Sequence, residues 1–287
     1  MILKKFRISA DAAGLRLNDF IRLWLPDLKE SDIRRLFNSR DIKVDGHPSS
    51  PGTILTAGQE VKIYFSENRH AQLLRIVYED DDVLLINKPS GVSVEPDGSG
   101  SLSLAEISAM YAEEHSFPPP VPCHRLDVRT SGLCLFAKND QAHTTLLEVF
   151  RSRQVDKYYV CLVRGTPKPP AAICKAFLIK DAERAFVRIS DHPVPGARPI
   201  VTGYEVMESG SVSRLRIHLI TGRTHQIRAH MAALGHPVLG DDLYGDRSFN
   251  RLHKARSLKL CSVSLTVHTG GKLPQLDHRT FVISPPF

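Results

Sequence analysis

The sequence has no Cys-x-x-Cys pair, and its five cysteines, at positions 123, 134, 161, 174 and 261, are an odd number. That excludes a zinc ribbon and a closed disulfide framework and leaves reduced thiols. No run approaches the ~20 consecutive apolar residues of a membrane span. The opening Met1-Ile-Leu-Lys-Lys-Phe-Arg7 has no apolar core followed by a small-residue cleavage site, so the expected compartment is the cytoplasm, with no membrane partner. The sequence also lacks a G-x-x-x-x-G-K-[ST] loop and an H-E-x-x-H pair, and Gly98-Ser-Gly100 is missing the third glycine of a dinucleotide loop. His225 and His230 lie about 140° apart around a helix, a poor angle for sharing one metal. Chemistry here falls to side chains alone: no cofactor and no metal are expected.

What the chain does have is an excess of positive charge. Its 38 Lys and Arg against 31 Asp and Glu give a formal net charge of +7. Long-range attraction then favours an anionic partner, with nucleic acid and small acidic substrates both open at this level. A content of 42% hydrophobic and 24% charged residues is that of an ordinary globular chain. The 287 residues point to two domains at roughly 100–200 residues each.

Near the N-terminus Leu17, Phe20, Ile21 and Trp24 recur as one apolar helical stripe that Pro26 stops. Ser31 is placed to cap a second helix, with Ile33, Leu36 and Phe37 inward and Arg34, Arg35 and Arg40 on or beside the solvent side. Ile42-Lys-Val44, the turn Asp45-Gly46 and the alternation Val61, Ile63, Phe65 predict a small sheet. Residues 12–66 thus form one compact unit. The polar run 66–72 marks a linker, taken as 67–74, and residues 75–287 form the larger domain.

In that larger part, strand-like runs fall at 75–78, 83–86, 132–137, 157–163, 184–189, 201–207 and 214–220. Helical stripes are fewer: Leu104, Ile107, Tyr111; Ala142, Leu146, Val149, Phe150; and Ile227, Met231, Leu234, the last begun by a Thr224 cap and ended by Gly235. Many strands and few helices predict an α+β domain on a mixed, largely antiparallel sheet with flanking helices.

The densest polar cluster is Cys123-His-Arg-Leu-Asp-Val-Arg-Thr-Ser-Gly132, in which Asp127 lies between Arg125 and Arg129. Flanking cations keep a carboxylate ionised and nucleophilic, although the same pattern describes a solvated loop with surface ion pairs. In Thr221-Gly-Arg-Thr-His-Gln-Ile-Arg228 the closing arginine lies off the apolar stripe, so core packing does not explain it; a plain exposed cation is the alternative. Asn87-Lys-Pro-Ser-Gly-Val-Ser-Val94 suggests backbone shape more than chemistry.

Taken together, His124-Arg-Leu-Asp127 with Thr130-Ser-Gly132, Lys88-Pro-Ser-Gly91 upstream and Thr221-to-Arg228 downstream resemble the RluA-type pseudouridine synthases over about residues 75 to 285. Residues 12–66 resemble an S4-like RNA-binding domain, the common N-terminal attachment in that family. The resemblance implies a pseudouridine synthase fold and an isomerase that converts specific uridines of structured RNA, ribosomal or transfer, to pseudouridine. It implies Asp127 as nucleophile and Arg228 as its ionic partner. It also implies Tyr159, placed by Lys157-Tyr-Tyr, as the ring stacked under the uracil. It implies further that Arg125 fills the space vacated by the flipped-out nucleotide, and Arg34, Arg35, Arg40 and Lys43 are expected to hold RNA in the S4-like unit. A monomer is expected. Arg40 stands where that domain commonly has glycine, which raises the question of its backbone conformation. Two other classes stay open: an RNA-binding factor that kept the fold without catalysis, and a metal-dependent nuclease built on Asp127, His225 and His230.

Overall fold

The computed structural model describes residues 2–26, 28, 30–65, 74–98, 101–181 and 186–287. The expected linker lies almost wholly outside these residues; its last member, Leu74, is buried in the larger core. The chain divides into two compact units, residues 1–72 with 98–101, and residues 73–97 with 102–287.

The smaller unit packs helices α1 (Leu17–Trp24) and α2 (Glu30–Asn38) on an antiparallel sheet of order β1-β4-β2-β3. Its strands are β1 (Ile2–Arg7), β2 (Ile42–Val44), β3 (His47–Pro48) and β4 (Glu60–Phe65). Strand β1 has no counterpart in the sequence reading, which begins the unit at residue 12. Leu17, Phe20, Ile21, Ile33 and Leu36 fill the core with Ile42, Val61 and Ile63. Trp24 differs from expectation: it stacks on Phe20 at 4.5 Å yet stays 44% exposed at the end of the helix. Helix α2 starts at Glu30, so Ser31 lies inside it and is not its cap. Asp45 and Gly46 both have positive φ (51° and 84°), as a two-residue primed hairpin turn requires. Arg40 follows α2 with φ 59°, so the place where glycine is common does impose the left-handed conformation.

The larger unit is built on an 11-stranded mixed sheet. Its main path runs β11-β10-β12-β13-β9-β14-β8-β6-β5, with β7 on β8 and β15 on β14. The strands are β5 (Ile76–Glu79), β6 (Val83–Lys88), β7 (Val121–Pro122), β8 (Ser131–Ala137), β9 (Val155–Arg164), β10 (Ala171–Asp181), β11 (Phe186–Ser190), β12 (Arg198–Glu208), β13 (Val212–Leu219), β14 (Leu260–Val267) and β15 (Thr280–Val282). The named strand pairs are antiparallel apart from β14 with β8. This is the α+β architecture the sequence predicts. The expected strand at 184–189 is seen from Phe186, residues 184 and 185 lying outside the described set.

Helix α3 (Leu104–Glu114) starts at a capping box between Ser103 and Glu106 and buries Leu104 and Ile107. Helix α4 (Asp140–Ser152), capped by Asn139, covers another apolar cluster with Ala142, Leu146 and Val149. Helix α5 (Gln226–Ala233) sends Ile227 and Met231 into the cluster that holds α3, and Ala229 against the β10–β11 hairpin. Because α5 is packed on more than one side, every residue from Gln226 to Met231 is buried. Leu234, expected on the stripe, is 40% exposed beyond its end. A short helix α6 (Arg247–Leu252), absent from the sequence reading, follows the Asp246 cap. All five cysteines are free, four of them buried. Among the described residues no helix is long and apolar enough to cross a membrane.

Candidate active site

A cleft of about 1620 Å³ opens in the larger unit. It gathers the loop between β7 and β8, the end of α4, strand β9, the loop after β13 and the start of α5. Nine Lys and Arg line it against four Asp and Glu, so the positive balance of the chain is concentrated here.

The β7–β8 loop carries Asp127, and its shape is fixed from β6. Lys88, fully buried, donates its ammonium hydrogens to the carbonyls of Pro89, Val92 and Val128 at 3.1, 2.7 and 3.0 Å. Ser90 Oγ donates to the Arg129 carbonyl, and Gly91 N–H to that of Val128. Burial pushes the Lys88 ammonium down to about 8. Lys88-Pro-Ser-Gly91 therefore serves backbone shape. His124 Nε2 accepts the Leu135 N–H at 3.1 Å while its ring stacks on Phe150 at 4.6 Å. Burial, helped by the Lys157 charge, drives this imidazole down to about 3, so it is a neutral structural acceptor.

The cations that flank Asp127 in sequence are not the ones that face it. Arg125 turns to Glu95 at 3.3 Å, with 77% of its side chain exposed at the cleft. Arg129 pairs with Asp242 and donates to the Gly240 carbonyl at 3.0 Å. The cation at the carboxylate is Arg228, whose Nη1 lies 3.4 Å from Asp127 Oδ2 although the two are 101 residues apart. Arg228 is only 4% exposed, which rules out the plain surface cation. Its Nε and Nη2 donate to Asp241 Oδ2 and Oδ1 at 2.7 and 3.0 Å, a two-pronged geometry that fixes the guanidinium plane. Asp241 has no exposed surface, and its Oδ1 also accepts the N–H groups of Leu243 and Tyr244. Burial pushes the Asp241 carboxyl up, but Arg228 and the two amides together hold it below the ordinary carboxylate value.

Tyr159, 5% exposed, points into the cleft from β9, whereas Tyr158 lies on the other face, stacked on His218 at 4.6 Å. Burial raises the Tyr159 hydroxyl well above its usual range, and the Asp127 charge acts in the same direction, so the phenol stays protonated. His225 begins α5 in the left-handed conformation at φ 54°, the position expected for a Thr224 cap. Its Nδ1 is 2.9 Å from Tyr244 Oη, which also accepts the Val187 N–H at 3.0 Å. With Val187 N–H on one acceptor site of Oη, donation of the hydroxyl hydrogen to Nδ1 would put the ring proton on Nε2, 3.9 Å from Asp127 Oδ2. His230 turns elsewhere, to Thr202 at 3.0 Å, so Asp127, His225 and His230 do not converge as a metal triad would.

Asp241 and Tyr244 escaped the sequence reading. Their one signal is Gly240-Asp-Asp-Leu-Tyr-Gly245, where two glycines bracket an acidic pair and a tyrosine. In the smaller unit Arg34 and Arg40 are exposed, Arg35 pairs with Asp32 at 2.9 Å, and Lys43 Nζ lies 5.0 Å from the Tyr64 ring centre.

Residues 82–233 match the family model described as RNA pseudouridylate synthase. The chain belongs to this family. It is 36% identical over 261 residues to the Ribosomal large subunit pseudouridine synthase C of Vibrio vulnificus, covering 85% of this chain and 80% of the relative. Among solved structures, human RNA Pseudouridylate Synthase Domain Containing 4 superposes with a TM-score of 0.62 at 26% identity, over 74% of this chain and 88% of the other. Human RNA Pseudouridylate Synthase Domain Containing 1 gives 0.59 at 28%, over 75% and 83%. The family match and the relatives together identify an RluA-type pseudouridine synthase, an isomerase. In this member the matched segment ends at residue 233, short of Asp241.

Proposed function

We propose that this chain isomerises uridine to pseudouridine in ribosomal RNA, with Asp127 as nucleophile, Arg228 as its ionic partner and Tyr159 as the ring under the base. The observation that carries this reading is the buried Asp241–Arg228 pair presenting one guanidinium nitrogen to Asp127 across the cleft. Such an arrangement sets a fixed positive charge 3.4 Å from the carboxylate without burying it, since its side chain stays 24% exposed. The reaction breaks N1–C1′ and forms C5–C1′, with the C5 proton lost and N1 protonated, so it needs no redox partner. The base must leave its stack, which costs a few kcal/mol. Arg125, exposed at the cleft and paired with Glu95 at a part-exposed contact, can swing to occupy the vacancy with its flat guanidinium.

Ribosomal RNA is favoured by the kinship to ribosomal large subunit enzymes. The smaller unit, residues 12–66, is read as an S4-like RNA-docking module joined by residues 67–74 to the catalytic domain 75–287. Its exposed Arg34 and Arg40, with Lys43, supply phosphate contacts, and Arg35 adds to them through its accessible edge. The reading extends to a single copy of the chain acting in the cytoplasm.

The test is to incubate wild type and Asp127→Asn with unmodified ribosomal and transfer RNA transcripts and map carbodiimide-dependent reverse-transcription stops. A stop with wild type alone, in ribosomal RNA, is expected. Stops in transfer RNA only would move the substrate assignment. Stops with Asp127→Asn would remove Asp127 from the chemistry, and none with wild type would favour a binding factor.

A further inference from the structure

Lys157 marks the register of Tyr159 in the sequence, yet its surroundings set it apart. It lies on the same face of β9 as Tyr159, two residues before it, and lines the cleft with Phe150, Arg151, Arg153 and Gly222. The side chain is half-buried, and among the described residues no carboxylate pairs with its ammonium. Burial pushes that ammonium down and the charge of Arg153 pushes it the same way. Arg153 itself sits in the left-handed conformation that ends α4, at φ 62°. Room for the ammonium comes from Gly222, where a Cβ would stand 3.2 Å from Nζ. The free protein therefore holds a partly desolvated cation beside a like charge, with the Phe150 ring centre 6.0 Å from Nζ and no carboxylate paired to it among the described residues, an arrangement that costs the free fold stability.

We propose that Lys157, with Arg151 and Arg153, forms a phosphate subsite that grips a phosphodiester of the substrate RNA next to the nucleotide entering the cleft. The inference rests on the isomerase reading for its substrate. A phosphodiester supplies the missing anion, and its free oxygens accept hydrogen bonds from a lysine acting as a point charge. A cation kept for a ligand differs from a structural one in a measurable way. Removing it should stabilise the empty protein and weaken the complex.

The experiment uses the full chain carrying Lys157→Met, with Lys157→Arg alongside. Thermal unfolding of the free protein and the dissociation constant of a fluorescent RNA hairpin are measured across a salt series. For Lys157→Met the expected results are a higher Tm, affinity weaker by about tenfold, and a slope of log K against log salt smaller by about 0.7–0.9. Lys157→Arg should keep the slope. A lower Tm with weaker binding would make Lys157 a structural residue, and an unchanged slope would mean that no phosphate sits there; either overturns the proposal. Binding is scored without turnover. A reduced slope in a protein that modifies no uridine would retain the subsite and reject the isomerase reading, and the reverse pattern would do the opposite.

Discussion

Asp241→Asn tests the support behind the candidate site more sharply than any change at Asp127. The substitution keeps the volume and removes the charge. Asp241 now accepts two hydrogen bonds from Arg228 and two from backbone amides, with no exposed surface. An asparagine has one oxygen to offer, and its amide group faces guanidinium N–H groups that it cannot satisfy. Breaking one side of a buried pair costs about 3–5 kcal/mol, and the part-exposed Asp127 carboxylate 3.4 Å from Nη1 offsets only part of it. The bond from Arg228 Nε to Oδ2 is lost outright, at about 1.5–3 kcal/mol, and the unpaired amide donor facing Nε adds about 1–3 kcal/mol, a similar range. For a domain above 150 residues this lowers Tm by roughly 6–20 °C, at about 2–4 °C per kcal/mol. The folded Asp241 carboxyl titrates below its usual 3.8, so its contribution is fully present above that value and lost only as pH falls through the lower, folded value. The difference between the proteins should accordingly stay constant from about pH 5 to 8. The assay is urea unfolding followed by circular dichroism, with Asp242→Asn as control. Asp242 is 70% exposed and pairs with Arg129 at the surface, so its loss should be barely measurable. Equal stabilities for Asp241→Asn and Asp242→Asn would refute the argument that a buried carboxylate holds Arg228.

Three other outcomes are expected. His124, neutral down to about 3 in the fold against about 6.5 in the unfolded chain, makes stability fall by about 1.4 kcal/mol per pH unit below 6.5. His124→Gln, which can still accept the Leu135 N–H, should spare about 2 kcal/mol of that loss by about pH 5, and parallel pH profiles would dismiss the idea. Tyr244→Phe removes the donor to His225 Nδ1 and so should raise the His225 pKa in two-bond proton–nitrogen spectra, with wild type protonated on Nε2 at neutral pH; a wild-type ring protonated on Nδ1 contradicts the deduced tautomer. Arg40→Gly should stabilise the smaller unit by about 0.5–1 kcal/mol by relieving positive φ, while lowering RNA affinity and its salt slope, and an unchanged slope would detach Arg40 from RNA.

The readable parts of the fold were those with one buried face. The stripes of α3 and α4 and the alternation of Leu215, Ile217 and Leu219 against Arg214, Arg216 and His218 carry their own period. Strand β14 escaped because it is buried on both faces, so Ser262 and Ser264 sit as deeply as the residues around them and no alternation survives. Strand β10 escaped for the opposite reason, its first half being exposed or half-exposed throughout. At the site, motif spacing marked Asp127 and Arg228 but misjudged their surroundings. Arg228 reads as a surface cation on a helix wheel, which assumes one wet side, whereas α5 is packed on more than one. Arg125 and Arg129 flank Asp127 in the chain yet turn to Glu95 and Asp242, since neighbouring residues on an irregular loop share no face. Asp241 was hidden because its partner lies 13 residues upstream across a turn that no periodic pattern describes.

The distance along the chain between Asp127 and Arg228 has a consequence for biosynthesis. The cleft is stitched from segments near 88, 127, 157, 225 and 241, joined through a sheet whose β8 strand meets β14 only after residue 260 has been made. Loop closures this long carry an entropic cost before any contact rewards them, so this corner should be among the last to order. A ribosome-bound nascent chain therefore carries the motifs around Asp127 and Arg228 before the sheet that brings the two side chains together is closed. The wide separation should act as a timer: the carboxylate is expected to meet its arginine only once β14 has paired with β8.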